Sequence, residues 1–183
     1  YFPPCISAYV GADITCSILS SNMQSQQTAF LVDIGTNGEM ALWHDGKFIC
    51  CSTAAGPALE GAGISMGMRA VPGAISKVWT EQGTVQYETI QCAPPTGICG
   101  SGLIDAAACM LSCGVLDETG YLENAWQIGD SGVFITPEDI RQLQLAKAAI
   151  RAGIDTLLSQ CDIAYDQLES FYIAGGFGSF IDR

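Results

Sequence analysis

The apolar positions of this chain gather into short runs near both ends and one long helical stripe. Ala29 to Ile34 (AFLVDI) and Glu39 to Trp43 (EMALW) read as strands, joined by a tight Gly35-Thr36-Asn37-Gly38 turn. A second turn at His44-Asp45-Gly46 leads into Lys47 to Thr53 (KFICCST), a third strand. Three consecutive strands in so short a segment predict an antiparallel meander. Ala54 to Ala74 is rich in Gly, Ala and Met and predicts a loop with short helical turns, held close to another element. Thr84 to Cys92 alternates like a half-buried strand.

After Pro94-Pro95, GICGSGLIDAAACMLSCG is a glycine-rich lead-in to a helix from about Ser101 to Cys113. Thr136-Pro137-Glu138-Asp139 opens the longest helix, with a hydroxyl cap, proline at the first helical position and acids against the dipole. Ile140, Leu143, Ile150, Ile154, Leu157 and Cys161 mark its buried face. Ser170 to Ala174 (SFYIA) is a last strand running straight into Gly-Gly-Phe-Gly. No internal repeat and no linker composition interrupts the chain.

Its 183 residues suit one domain of ordinary size, and 49% hydrophobic against 14% charged residues predicts compact folding. Seven basic and 19 acidic residues give a net charge of −12, with no Lys/Arg cluster to neutralise a phosphate backbone. Nucleic acid and anionic membranes are therefore not expected partners. A single nucleotide is different, because backbone N–H groups in glycine loops and a divalent cation hold phosphates even in an acidic protein.

No apolar run reaches the roughly 18 residues of a membrane-spanning helix, and YFPPCISAYVGAD does not read as a signal peptide. A first residue other than Met, and an end just after a glycine motif, predict a piece of a longer protein. The nine cysteines include no C-x-x-C: Cys50 and Cys51 are adjacent, and the pairs Cys109/Cys113 and Cys92/Cys99 lack iron–sulfur or zinc spacing. Reduced thiols in a cytoplasmic protein are the expectation.

The chemistry concentrates in two motifs. In LVDIGTNGEM a strand delivers Asp33 to a sharp turn made by Gly35, Thr36, Asn37 and Gly38. A carboxylate there is costly to desolvate unless it meets a cation or donors, and the neighbouring N–H groups suit a magnesium-bound phosphate. The alternative is a plain hairpin around a satisfied Asp33. About 140 residues later a strand ends in AGGFG, where Gly175, Gly176 and Phe177 offer bare backbone to a base or ribose. The pair of motifs is far more specific than either alone. His44, the only histidine, falls in a turn and is expected to be solvated, and no catalytic triad can be built around it.

Asp-x-Gly-Thr at a hairpin followed by a late Gly-Gly at a strand end resembles the phosphate and adenosine motifs of the actin, heat-shock chaperone and sugar-kinase superfamily. More narrowly, DIGTNGEMAL, AAGPALEGAGISMGMRAVPGAI, GICGSGLIDA, LQLAKAAIRAGI and AGGFGSFID resemble the C-terminal actin-like (ASKHA) region of reductive activators of corrinoid-dependent methyltransferases. The resemblance covers nearly the whole chain.

It implies an α/β, ribonuclease-H-like subdomain over residues 1–183, whose mixed sheet is opened by the meander and flanked by helices. It also implies ATP and Mg2+ as ligands and a corrinoid protein or methyltransferase as partner. The iron–sulfur cluster is implied only for an N-terminal ferredoxin-like domain missing from this chain. The implied activity is ATP-coupled reduction of cobalt(II) corrinoid to cobalt(I). On this resemblance Asp33 orients Mg2+ or water, Gly35, Thr36, Asn37 and Gly38 hold phosphates, and Gly175, Gly176 and Phe177 border the adenosine. Glu60 is a candidate for the ribose or base edge, or else a surface acid. Gly100 and Ser101 either approach phosphate or serve close helix packing. A phosphotransferase acting on a sugar or carboxylate, and a nucleotide-gated binding module without chemistry, remain alternatives.

Overall fold

A computed structural model describes residues 3–7, 10–178 and 181. In chain order the elements are α1 (Ala12–Ser21), β1 (Thr28–Ile34), β2 (Gly38–His44), β3 (Lys47–Thr53), β4 (Ala74–Glu81), β5 (Thr84–Thr89), β6 (Gly97–Ile98), α2 (Gly100–Ser112), β7 (Trp126–Gln127), β8 (Phe134–Ile135), α3 (Pro137–Gln160), β9 (Ser170–Ala174) and α4 (Gly175–Gly178). They form two compact units, one from Tyr1–Ala55 with Lys147–Ile181 and one built on Gly56–Ala146.

The first unit carries a four-stranded sheet of order β3-β2-β1-β9. The meander is antiparallel, and β9 joins β1 in parallel. Successive side chains of a strand point to opposite faces. Phe30 and Val32, with Met40 and Leu42, pack on Ile154, Leu157 and Leu158 of α3. Ala29, Leu31 and Ala41 pack on Ile14 and Ile18 of α1. Because both faces are covered, β1 reads as a continuous apolar run rather than an alternation.

Asp45 and Gly46 both take positive φ, 50° and 73°, in the two-residue turn linking β2 to β3. The Gly35-Thr36-Asn37-Gly38 link between β1 and β2 is not a two-residue turn of that kind. Residues 35–37 form a bend without positive φ, closed by the Gly35 N–H donating to the Asn37 carbonyl at 3.1 Å. His44 ends β2 half-buried, its Nδ1 2.9 Å from the Thr28 hydroxyl. It is therefore less solvated than its place in the sequence suggested.

In the second unit β4 lies between β5 and the short β6. The strand expected over Thr84 to Cys92 stops at Thr89, where a 3-10 turn over Ile90–Cys92 brings Gln91 and Cys92 to positive φ. The glycine-rich segment runs along β6, with the Ile98 N–H donating to Met66 and the Met68 N–H to Ile98, each at 2.9 Å. β6 is thus the neighbour that the segment's composition anticipated.

Strand pairing covers β4 on the β6 side only at Ala74 and Ile75. Beyond them α2 takes over. The Ser101 hydroxyl donates to the Ser76 carbonyl at 2.9 Å, the Val78 N–H donates to the Asp105 carboxylate at 3.3 Å, and the Thr80 hydroxyl lies 3.1 Å from Cys109 Sγ. Residues four apart share one helix face, so one stripe of α2 satisfies this strand edge.

The α3 cap is reciprocal. The Asp139 N–H donates to the Thr136 hydroxyl at 3.2 Å and the Thr136 N–H to the Asp139 carboxylate at 2.8 Å. That carboxylate, 1% exposed, also accepts from Ser65 N–H at 2.7 Å and Ser65 O–H at 3.0 Å. A carboxyl group can be buried here because donors surround it.

Gly102 lets α2 approach β4 this closely. A Cβ there would collide with the Ile75 carbonyl oxygen and reach within 3.1 Å of Ile98 Cγ1. Alanine favours a helix interior by about 1 kcal/mol over glycine, but a backbone clash in a packed core costs about 1–3 kcal/mol. Gly102→Ala is therefore expected to destabilise the protein despite its better helix propensity, read as a lower denaturant midpoint at unchanged slope.

Candidate functional site

The two motifs meet in the first unit. Parallel pairing puts Asp33, near the end of β1, beside Ala174, the last residue of β9. Gly175 follows with φ of 81°, and a Cβ on it would collide with Asp33 Oδ1. The carboxylate thus lies against bare glycine backbone. Gly176 has open space where a Cβ would stand, Phe177 is half-buried, and Gly178 packs on Ile173.

Around the bend, Thr36 and Asn37 are exposed and Gly35 is half-buried. Gly38 is buried for a packing reason: a Cβ would come within 2.8 Å of Thr53 Oγ1 on β3.

Two carboxylates join Asp33 that sequence reasoning did not single out. Glu39 faces Asp33 directly across the β1–β2 ladder. Its carboxylate accepts the Gly11 N–H at 3.1 Å, which ties it to the start of α1. Asp13 sits in the first turn of α1. The strand register would have exposed Glu39, whereas Asp13 lies in a helix that carries no side-chain cap to announce it.

Burial, and secondarily the charge of Asp13, push the Asp33 carboxyl above its ordinary value. Glu39 is raised by burial and by the charges of Asp13 and Asp33, against the Gly11 N–H that favours its ionised form. Both groups are held where negative charge is disfavoured. Among the described residues no three His, Cys, Asp or Glu side chains are placed to ligate a metal by themselves.

The remaining candidates lie in the second unit. Glu60 is exposed at the end of a 3-10 turn, Pro57–Glu60. Gly100 and Ser101 are buried in the first turn of α2, and the Ser101 hydroxyl is committed to the Ser76 carbonyl. The Ser101 contact is one that close helix packing makes.

Residues 27–183 match the family model described as the C-terminal domain of RACo, the ASKHA domain. The chain belongs to that family. It is 36% identical to the corrinoid activation enzyme RamQ of Eubacterium limosum, over 99% of this chain and 35% of that protein. It is 35% identical to a [Co(II) methylated amine-specific corrinoid protein] reductase of Methanosarcina barkeri, over 98% of this chain and 38% of the other. A solved reductive activator for a corrinoid, iron–sulfur protein superposes with a TM-score of 0.87 at 39% identity, over 99% of this chain and 33% of that one.

The ASKHA chain thus spans about a third of the length of the relatives it matches. The expected actin-like α/β fold is this family's fold, with the meander and flanking helices in place. Among the described residues no helix is long and apolar enough to cross a membrane.

The raised Asp33 carboxyl has a definite linkage sign. An acid whose folded pKa lies above its unfolded one favours the folded state fully at pH below the unfolded value, here 3.8, and loses that contribution as pH rises through the folded value. Asp33→Asn, which never ionises, is therefore expected to melt higher than the parent protein at pH 7. The gap should close as pH falls through the carboxylate range, which thermal melts of both proteins across that range would read.

Proposed function

We propose that this domain is the ATP-binding and ATP-hydrolysing module of an activator that reduces cobalt(II) corrinoid protein to cobalt(I) in a methyltransferase system. Two relatives carry corrinoid activation or corrinoid-protein reduction in their names. The single observation that carries the nucleotide reading is the meeting of Asp33 with Gly175 at adjacent strand ends. The same relatives favour the activator over a phosphotransferase.

The donor set suits magnesium held through phosphate. Mg2+ keeps several waters and uses one or two carboxylates plus phosphate oxygens, so a site without three ready protein ligands fits it. In this reading Asp33 faces the cation or the attacking water, with Asp13 and Glu39 adding negative potential around it. Bound Mg2+ would supply charge neutralisation for the phosphates and for these carboxylates. The bend at Gly35, Thr36, Asn37 and Gly38 lies on the phosphate side, and the open backbone at Gly175 and Gly176, with Phe177, borders the adenosine. Glu60 is the candidate for the ribose or base edge. The iron–sulfur cluster implied for such an activator belongs, in this reading, to an N-terminal ferredoxin-like domain. We place it elsewhere in the longer protein.

The test uses the full-length activator. If Asp33 acts on the phosphates, Asp33→Ala slows ATP hydrolysis by about 100-fold or more. ATP-stimulated corrinoid reduction is then lost, while electron transfer into the iron–sulfur cluster survives. A folded variant with wild-type hydrolysis and wild-type ATP-stimulated reduction would overturn the proposal. Equal loss of every activity together with a lower melting temperature would reduce Asp33 to a structural residue.

A further inference from the structure

At the far end of α2 two thiols converge on one hydroxyl. Thr80 Oγ1 of β4 lies 3.1 Å from Cys109 Sγ and 3.6 Å from Cys113 Sγ. Cys109 is buried and Cys113 is exposed, and their sulfurs share the Thr80 hydroxyl as a common neighbour. One helical turn separates their backbones by about 6 Å, inside the 4.4–6.8 Å Cα span that a disulfide bridges. Cys113 is also the C-cap of α2, and Gly114 follows at φ of 69° with open space around it. Cβ atoms one turn apart lie about 5–6 Å from each other and must close to about 4 Å in a disulfide, a shift that falls on the last turn of the helix, next to this glycine.

We propose that Cys109 and Cys113 are a peroxide-reactive dithiol, in which exposed Cys113 reacts first and buried Cys109 resolves it to an intrahelical disulfide. The Cys113 thiolate attacks one oxygen of a hydroperoxide, forming the sulfenic acid and releasing alkoxide or hydroxide, which is protonated to alcohol or water. Cys109 sulfur then attacks the sulfenic sulfur, expelling hydroxide that leaves as water with the Cys109 proton. Two thiols are oxidised by two electrons to one disulfide, and one peroxide O–O bond is reduced.

The environment divides the roles. The Thr80 hydroxyl chiefly, helped by Ser112 and Cys109, favours the Cys113 thiolate and draws its pKa down. Burial chiefly pushes the Cys109 thiol up. The nucleophile is thus the exposed thiol with donors around it, and the resolving thiol waits protonated. Oxidation would take both sulfurs from Thr80, whose hydroxyl links this end of α2 to the β4 edge.

The experiment exposes the reduced protein, prepared without oxygen, to one equivalent of hydrogen peroxide. It is then alkylated and cleaved on the N-terminal side of aspartate. Cleavage at Asp105 and Asp117 releases a peptide whose only cysteines are Cys109 and Cys113. This peptide is expected to resist alkylation and to lose two hydrogens in mass, about tenfold faster than exposed Cys5, Cys16 and Cys92 are oxidised. In Cys109→Ala the reaction should stop at a Cys113 sulfenic acid that dimedone traps, and in Cys113→Ser Cys109 should stay reduced. The proposal is overturned if the unsubstituted protein shows no mass loss in this peptide, or if Cys113 reacts no faster than the other exposed thiols. The first readout needs no variant, so a poorly folding Cys109→Ala cannot rescue the idea.

Discussion

The parallel pairing of β1 with β9 is the contact on which the site depends. It sets Phe30 opposite Phe171, stacked with ring centroids 5.4 Å apart, and carries the register to Asp33 opposite Ala174. A one-residue slip would turn every β9 side chain to the other face. It would move Ile173 off the cluster that β1 shares with α3, and Tyr172 and Ala174 off the one it shares with α1. Burial on both sides of β1 therefore fixes where two motifs distant in sequence come together. The placement of the chemistry is a consequence of core packing.

What the core holds in place is locally unfavourable. Asp33 and Glu39 face each other across the ladder with Asp13 nearby, and burial first, then the charge of Asp13, oppose ionisation of both. Gly175 compounds the constraint, because its positive φ and its contact with Asp33 each exclude a side chain. Such arrangements persist where surrounding structure over-determines them, and they cluster at functional sites. A cation would turn the repulsion among these carboxylates into attraction.

How far the sequence announced all this depended on the residues at each boundary. The meander was legible because Asp45-Gly46 is a strong hairpin signal, and the Thr136 cap and Pro137 marked α3 for equally local reasons. β4 was missed because it follows a glycine-rich coil, and because its hairpin to β5 turns through Gln82, a non-glycine residue at positive φ. α1 was missed because Thr15, Cys16 and the serines are weak helix formers and its N-terminus has no side-chain cap. Its helicity comes from burying Ile14 and Ile18 on the sheet, a tertiary effect that local propensity does not contain. With α1 unseen, Asp13 could not be placed beside Asp33. The acidic cluster was therefore only partly readable from the chain.

The cysteines follow a related logic. All nine are free. Several sit where a small apolar side chain with a weak donor is useful. Cys99 Sγ points at the Ile75 carbonyl at 3.4 Å, and Cys51 Sγ at the Gly153 carbonyl at 3.8 Å. A strand edge with unpaired backbone groups invites pairing with another chain, and β6 is too short to cover β4. The helix covering the rest must come close, which demands Gly102, and must present short polar side chains in place of a partner strand. Ser101, Asp105 and Cys109 meet that requirement at one-turn intervals. The same spacing brings Cys113 to Thr80 beside Cys109, so the pairing of these two thiols follows from how the sheet edge is closed.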